Sequence, residues 1–406
     1  MRKIVLCCMA ILCLFSTACS RRTMGEAGKL NVLCYSFQER ELLDAYWTAR
    51  IDDDTIPELF FITPSEDFSD VMELYDMLLT SLLTKSPDVD LYCMSSYEEN
   101  MPTILRNQYY VDLSEYDTLT GYFDDMYPEI KDWCTEGDAL FGFPFYVNYT
   151  MHIMVNPDLM DTIGYSVDDI RTVDGLVDFC DTWEKEKTSP PNGGRPIAPT
   201  LYFGNYLLQH YDRDTGELDL DTPEFRATLT QCRDMLAYED LFQRSFTAIT
   251  DVDSDTSPLY FDCASILSRN PQYQPMPYPL LEAEAEDTKR YTEVWWLIAN
   301  PYGKHVDQVV ACLSALAKSM GQTQLHTPIY RDADYYSYKD LYTQDRLDTT
   351  GEMISHMSVG TAFPRFNTIM SLCDEYVYED TKTLDQVIEE AQHITDMMQR
   401  EQFLDQ

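Results

Sequence analysis

Apolar residues along the chain fall into short unbroken runs separated by segments in which they recur at helical spacing. The first run, Leu30 to Tyr35, has strand length and ends at a polar stretch, Ser36 to Arg40, read as a loop; a helical pattern starts at Glu41. Glu58 to Ile62 is a second strand. In the segment Phe68 to Thr84, Val71, Leu74, Tyr75, Leu78, Leu79 and Leu82 stack on one helix face. Ser86-Pro87-Asp88 breaks that helix, Val89 to Met94 makes a third strand, and Glu98 to Asn107 is helical again. Alternation of this kind predicts an α/β lobe with a largely parallel sheet. A ligand crevice in such a lobe lies at the carboxyl ends of the strands, where the loops Ser36 to Gln38 and Ser95 to Tyr97 fall.

Farther along, Phe141-Gly142-Phe143-Pro144-Phe145-Tyr146 leads through Val147 to Thr150 into the apolar run Met151 to Val155, a pattern that predicts a turn followed by one long strand. Helices follow over Asp158 to Ile163 and Val173 to Glu186, then a loop containing Ser189-Pro190-Pro191-Asn192-Gly193-Gly194, with which a second lobe begins. Later elements are the apolar strand Val294 to Ala299 and the helix Val306 to Met320. A chain of 406 residues without internal repeats is too long for one compact core and suits two.

The N-terminus changes the picture. Arg2 and Lys3 precede the apolar stretch Ile4 to Phe15, which is too short to cross a bilayer as a helix and matches the core of a signal peptide. Ser16-Thr17-Ala18-Cys19 resembles the lipobox of bacterial lipoproteins, with Ser16 where leucine is usual. That resemblance implies cleavage after residue 18, lipidation of Cys19 and a polar tether over residues 19–29. The 29 Lys and Arg stand against 70 Asp and Glu, a formal charge of −41. Such a field repels nucleic acid and leaves acyl chains, not surface charge, as the membrane attachment. Beyond Cys19, eight cysteines are spread evenly with neither a C-x-x-C pair nor metal-ligand spacing, most of them inside apolar runs. They read as buried thiols.

Several short segments resemble, in order, those of the extracellular solute-binding proteins of ABC importers, the group that includes the maltose-binding protein. Pro87-Asp88-Val89 resembles its "PDV" strand, and Tyr109-Tyr110-Val111-Asp112-Leu113 its "G-Y-L-x-D-L" segment. Gly137 to Pro144 resembles its "G-K-x-Y-G-x-P" hairpin, and Met154 to Leu159 its "Y-N-K-D-L" strand end. Thr215 to Glu224 resembles a short hairpin entering a helix, while Gly360 to Phe366 and Thr383 to Ile388 resemble the closing segments. The resemblance implies a type-II periplasmic-binding-protein fold, two α/β lobes joined by hinge strands. Its implied division is a signal peptide at 1–18, a first lobe at 30–147 with about 298–322 returning to it, and a second lobe at 148–297 completed by about 323–406. The implied protein is a monomeric, extracytoplasmic, lipid-anchored receptor that gives a small polar ligand, most readily a sugar, to a membrane permease. Neither catalysis nor a cofactor belongs to that reading.

Sugar recognition uses aromatic faces against the C–H side of a pyranose, together with amides, carboxylates and arginine for its hydroxyls. Residues of those types on the expected crevice segments are Tyr35, Phe37, Tyr97, Tyr146, Asn148, Tyr202, Arg269, Asn270 and Phe363. Trp295 and Trp296 are adjacent on one strand, so only one of them can line the crevice and the other faces the core; packing of both at a lobe interface is the alternative. The acidic groups Asp212 to Asp221 and Asp251 to Asp255 lack a calcium loop with its closing glutamate. No zinc-protease, nucleophile-elbow or Walker motif is present. The rival functions are a receptor serving a membrane sensor, a scaffold lipoprotein that has lost its ligand, and a secreted hydrolase with two distant carboxylates.

Overall fold

A computed structural model describes residues 25–34, 36–63, 70–149, 151–187, 192–194, 198–238, 257–261, 272–322 and 328–403. The first part of the chain alternates β1 (Leu30–Leu33), α1 (Ser36–Asp52), β2 (Leu59–Ile62), α2 (Asp70–Leu83), β3 (Leu91–Ser95) and α3 (Met101–Arg106). Next come α4 (Asp117–Asp125), α5 (Pro128–Asp132), the small hairpin of β4 (Thr135–Glu136) and β5 (Ala139–Leu140), and β6 (Phe143–Asn148). Then follow β7 (His152–Val155), α6 (Pro157–Asp161), α7 (Val173–Glu186), β8 (Asn192–Gly194), α8 (Pro199–His210), α9 (Pro223–Asp234), β9 (Leu259–Phe261) and β10 (Gln274–Pro277). The remainder is β11 (Arg290–Ala299), α10 (Val306–Ser319), α11 (Gln344–Ser355), β12 (Met357–Val359), α12 (Phe366–Val377) and α13 (Leu384–Phe403).

Local chemistry accounts for many of the ends. Thr172 accepts a hydrogen bond from the Gly175 amide to start α7, and Thr222 accepts one from Phe225 at α9, where Pro223 takes the first helical position. Gly137 turns the β4–β5 hairpin at φ 61°, a backbone that side chains other than glycine adopt with strain. Where the pattern predicts a polar loop over residues 36–40, the helix already begins at Ser36. The single long strand expected around Met151 is two strands, β6 and β7, separated by Tyr149 to Met151. The segment after Asp212 is a turn without paired strands: the Asp212 carboxylate accepts from the Asp214 and Thr215 amides.

Six strands form the first sheet in the order β12-β11-β3-β1-β2, with β6 also paired to β11. β1 is parallel to β2 and β3, whereas β11 runs antiparallel to β3 and β6. The second sheet has the order β10-β7-β9-β8. Buried side chains divide into two cores that match these sheets. One gathers β1, β3, β6, the C-terminal half of β11, α10 and residues 329–357; the other gathers β7, α7, α8, α9, α12 and α13. The chain passes between them three times. Tyr149 packs in the first core and Met151 in the second, Tyr291 in the second and Val294 in the first, Met357 in the first and Ala362 in the second.

One boundary differs from the expected division. Residues 329–357 pack with the first lobe, not the second, because the Tyr330 hydroxyl donates to the Ala317 carbonyl at 2.8 Å and Tyr127 donates to the Leu347 carbonyl at 2.8 Å. A stacked pair, Tyr336 and Tyr342, closes this region. The seven described cysteines beyond Cys19, namely Cys34, Cys93, Cys134, Cys180, Cys232, Cys312 and Cys373, are buried. Burial pushes the Cys312 thiol up to about 12 and those of Cys93, Cys134, Cys180, Cys232 and Cys373 upward as well, so these six are not thiolates at neutral pH.

The second lobe's end of β11 is fixed by a buried ion pair. Arg290, 1 % exposed, spreads its guanidinium over the Tyr202 ring, donates from Nε to the Tyr278 carbonyl, and donates from Nη2 to the Pro279 carbonyl and the Glu284 carboxylate, both at 2.8 Å. Removing one partner of a buried pair strands the other charge. Glu284→Ala is therefore expected to lower unfolding free energy by about 3–5 kcal/mol, measured by urea titration; a loss below about 1 kcal/mol would show that the two carbonyls alone satisfy Arg290.

Candidate functional site

Successive residues of a strand face opposite ways, and on β11 the two faces have different character. Arg290, Thr292, Val294 and Trp296 on one face are all within 1 % of complete burial. The other face carries Tyr291, Glu293 and Trp295, of which Glu293 retains solvent access. Residues directly opposite one another on paired strands share a face. Glu293 lies opposite Asn148, and Trp295 lies opposite Tyr146 on β6 and Ser95 on β3. Ser95, Tyr146, Asn148, Glu293 and Trp295 thus form one continuous surface, at the carboxyl end of β3 and where β6 and β11 pass between lobes.

Glu293 is the chemical centre of that surface. Ser95 Oγ donates to one carboxylate oxygen at 2.7 Å, Asn148 Nδ2 donates to the other at 3.3 Å, and the Trp295 side chain supplies a further hydrogen bond. Burial pushes the Glu293 carboxyl above its ordinary value of 4.5, and the bonds from Ser95, Asn148 and Trp295 only partly offset this. Ser95 Oγ in turn accepts the Tyr97 amide at 3.0 Å, and the Tyr97 ring meets Tyr291 edge to face with centroids 5.7 Å apart. The Thr292 hydroxyl, on the far side of the strand, donates to the Asn148 carbonyl at 2.8 Å and holds β6 in place.

The loop after β3 also ties the two lobes together. The Ser96 carbonyl accepts the Ala362 amide at 2.9 Å and its hydroxyl accepts the Val294 amide at 3.2 Å. Three residues on, the Glu99 carboxylate accepts the Arg365 and Asn367 amides at 3.2 and 3.3 Å and the Asn367 side chain at 3.2 Å. A first-lobe carboxylate thereby sits on the N-terminus of α12 in the second lobe, the end of a helix that favours negative charge. Arg365 enters that helix in the left-handed region at φ 67°. On the Arg290 side of β11, a separate cavity of about 300 Å³ lies between Gln274 to Tyr278 and Thr349 and Met353 of α11, with His356 just after that helix.

Among the residues expected to bind ligand, Tyr97, Tyr146 and Asn148 come together around Glu293. Tyr202 and Phe363 do not. Both are 0 % exposed in the second core, where the Tyr202 hydroxyl donates to the Pro279 carbonyl at 2.9 Å and Phe363 stacks on Tyr211 at 4.3 Å. Their rings serve packing because their only polar demand is met inside. Cys19, Tyr35, Arg269 and Asn270 lie outside the described residues, as does the side chain of Phe37, whose backbone is in the first turn of α1. Trp296 is the core member of the tryptophan pair: it packs edge to face on Phe141, centroids 5.0 Å apart, over Gly142, where a Cβ would come within 3.0 Å of it. Glu293 and Ser95 were not singled out by residue type. The available signal was a lone acid inside the apolar run Arg290 to Ala299.

No group of three potential metal ligands occurs among the described residues, and none of their helices is long and apolar enough to cross a membrane. The model of the family described as bacterial extracellular solute-binding protein matches residues 70–269. A search of curated proteins found no match. Solved structures match over nearly the whole chain. Maltose-bound MalE3 of T. maritima is 14 % identical with a TM-score of 0.60, over 91 % of this chain and 99 % of that one. The sugar-binding protein MalE of Xanthomonas citri is 12 % identical with a TM-score of 0.63, over 92 % and 98 %. An ABC transporter solute-binding protein of Agrobacterium vitis with bound D-mannitol is 16 % identical with a TM-score of 0.56, over 92 % and 99 %. At these identities the likeness establishes the two-lobed fold.

The raised Glu293 carboxyl has a consequence for stability, with its sign set by linkage. Between pH 4.5 and the raised value the folded state holds a proton that the unfolded state has lost. Stability then falls as pH rises through that window and is level above it. Relative to Glu293→Gln, the wild-type protein is expected to lose stability from about pH 4.5 upward, followed by urea midpoints at half-unit steps; parallel curves for the two proteins would place Glu293 in an ordinary aqueous setting.

Proposed function

Since the chain belongs to the bacterial extracellular solute-binding protein family, we propose that it captures a small carbohydrate between its two lobes and delivers it to an ABC permease. The observation that carries this reading is the surface around Glu293. A half-buried carboxylate, an amide and a serine hydroxyl lie beside tyrosine and tryptophan rings on the strands that join the lobes. Hydroxyl groups of a sugar can meet the polar atoms while its C–H faces meet the rings. The fold relatives described with maltose and with D-mannitol support the same class of ligand.

Ligand touching both lobes favours the closed arrangement, and the closed form is the species a permease would distinguish. The Glu99 contact with the start of α12 is one interaction that joins the two lobes in this structure. Attachment to the membrane would come from acyl chains on Cys19, a reading supported by the small residues Ser16 to Ala18 after a short apolar stretch.

Two experiments test this. A thermal-shift screen of the chain from Ser20 onward against sugars and polyols is expected to give one responding class, since a ligand at a hundred times its Kd adds about 2.7 kcal/mol. Asn148→Ala should weaken that ligand about ten-fold, the scale of one lost hydrogen bond to a charged or polar partner. Silence across the panel from a folded protein would remove the carbohydrate reading. In cells, Cys19→Ala is expected to shift the protein from the membrane fraction to the soluble one, and continued membrane association would refute the acyl anchor.

A further inference from the structure

Among the described residues, the carboxylate at the centre of the site has no cation beside it. Glu293 receives hydrogen bonds from three neutral groups, Ser95, Asn148 and Trp295, and no lysine, arginine or histidine pairs with it among the described residues. Contrast Arg290, three residues away on the other face of the same strand, whose charge is fully matched by Glu284 and two carbonyls. A carboxylate drawn out of water is costly unless an opposite charge or a full set of donors compensates it. Two oxygens offer about four acceptor positions, and three donors from the protein leave room for one more. Tyr146 and Trp295 on this surface, together with Tyr97 on the adjoining loop, are aromatic residues of the kind whose ring faces attract cations. At longer range, 70 acids against 29 bases concentrate cations around the molecule.

We propose that the natural ligand carries a protonated amine, and that Glu293 pairs with it while the Tyr97, Tyr146 and Trp295 rings line its surroundings. Built on the carbohydrate reading above, this names a class of ligand, an amino sugar or an oligosaccharide containing one. The neutral donors set the orientation of the carboxylate and the ligand brings the missing charge. A neutral sugar of the same shape would leave Glu293 either charged and unmatched or protonated. Discrimination thus arises because a cation compensates the carboxylate more fully than one further neutral hydroxyl can.

The test is a set of matched pairs measured by isothermal titration calorimetry on the wild-type chain from Ser20 onward at pH 7. Glucosamine, galactosamine, mannosamine and chitobiose-derived diamine are each compared with the corresponding neutral sugar and with its N-acetyl form. Putrescine and glycine betaine serve as cations without a sugar. The expected result is that at least one amine binds about ten-fold or more tightly than both its neutral and its N-acetylated counterparts, the increment of a charge-assisted bond. Glu293→Gln should abolish that preference, so that the amine and its neutral counterpart bind the variant within about three-fold of one another, provided circular dichroism shows the variant folded. Equal or tighter binding of a neutral sugar overturns the amine proposal and leaves the carbohydrate reading standing. Binding of putrescine alone upholds the amine and removes the carbohydrate, and binding of betaine alone overturns both. Failure of every probe to bind counts against both.

Discussion

The structure depends on one strand that has to satisfy two cores at once. From Arg290 to Thr292 the chain of β11 is held to the second lobe by the Glu284 carboxylate while pairing with β12 of the first sheet, and from Val294 to Ala299 it lies in the middle of that sheet between β3 and β6. A strand committed at both ends cannot shift its register without turning every side chain to the wrong face. That constraint fixes which residues can reach solvent between the lobes. On the buried face the strand is closed to within 1 %, so any chemistry has to be carried by its odd-numbered positions.

Two charged groups on this strand illustrate how differently the fold treats charge. Arg290 is almost wholly enclosed and every part of its guanidinium has a partner, so it serves to locate the strand. Glu293 keeps some access to solvent and has donors that orient it without neutralising it. A protein selected only for stability gains nothing from the second arrangement, because an apolar or amide side chain at that position avoids the desolvation of a carboxylate. Sites that carry unrelieved costs of this kind are where function is commonly found.

Much of the fold was legible in the sequence, for reasons that can be named. The helix Val173 to Glu186 is found over the residues its spacing predicts, since Thr172 caps it and its apolar face is complete. The alternation of β1 to α3 and the hairpin turning at Gly137 follow from local pattern, and the succession of such pieces pointed to the two-lobed family. What local pattern lacks is destination. Residues 329–357 belong to the first core through tyrosine hydroxyls that reach carbonyls at Ala317 and from Tyr127 to Leu347, contacts with no signature in neighbouring residues. The same gap explains the candidate site. Residue type identified Tyr97, Tyr146 and Asn148, and it equally suggested Tyr202 and Phe363, whose rings turn inward. Glu293 becomes conspicuous only once register sets it opposite Asn148 and beside Ser95.

The three passages of the chain between its cores also bear on how such receptors diverge. Each lobe is assembled from segments far apart in the gene, so a single genetic crossover within the folded region splices together halves of two lobes that were never packed against one another. Exchange of a whole lobe between related receptors would need several coordinated joins, at residues near 150, 293 and 360. Point substitution at position 293, which lies on the shared strand outside both cores, is the accessible route. A lineage of these proteins would therefore explore new ligands one side chain at a time on a scaffold inherited intact.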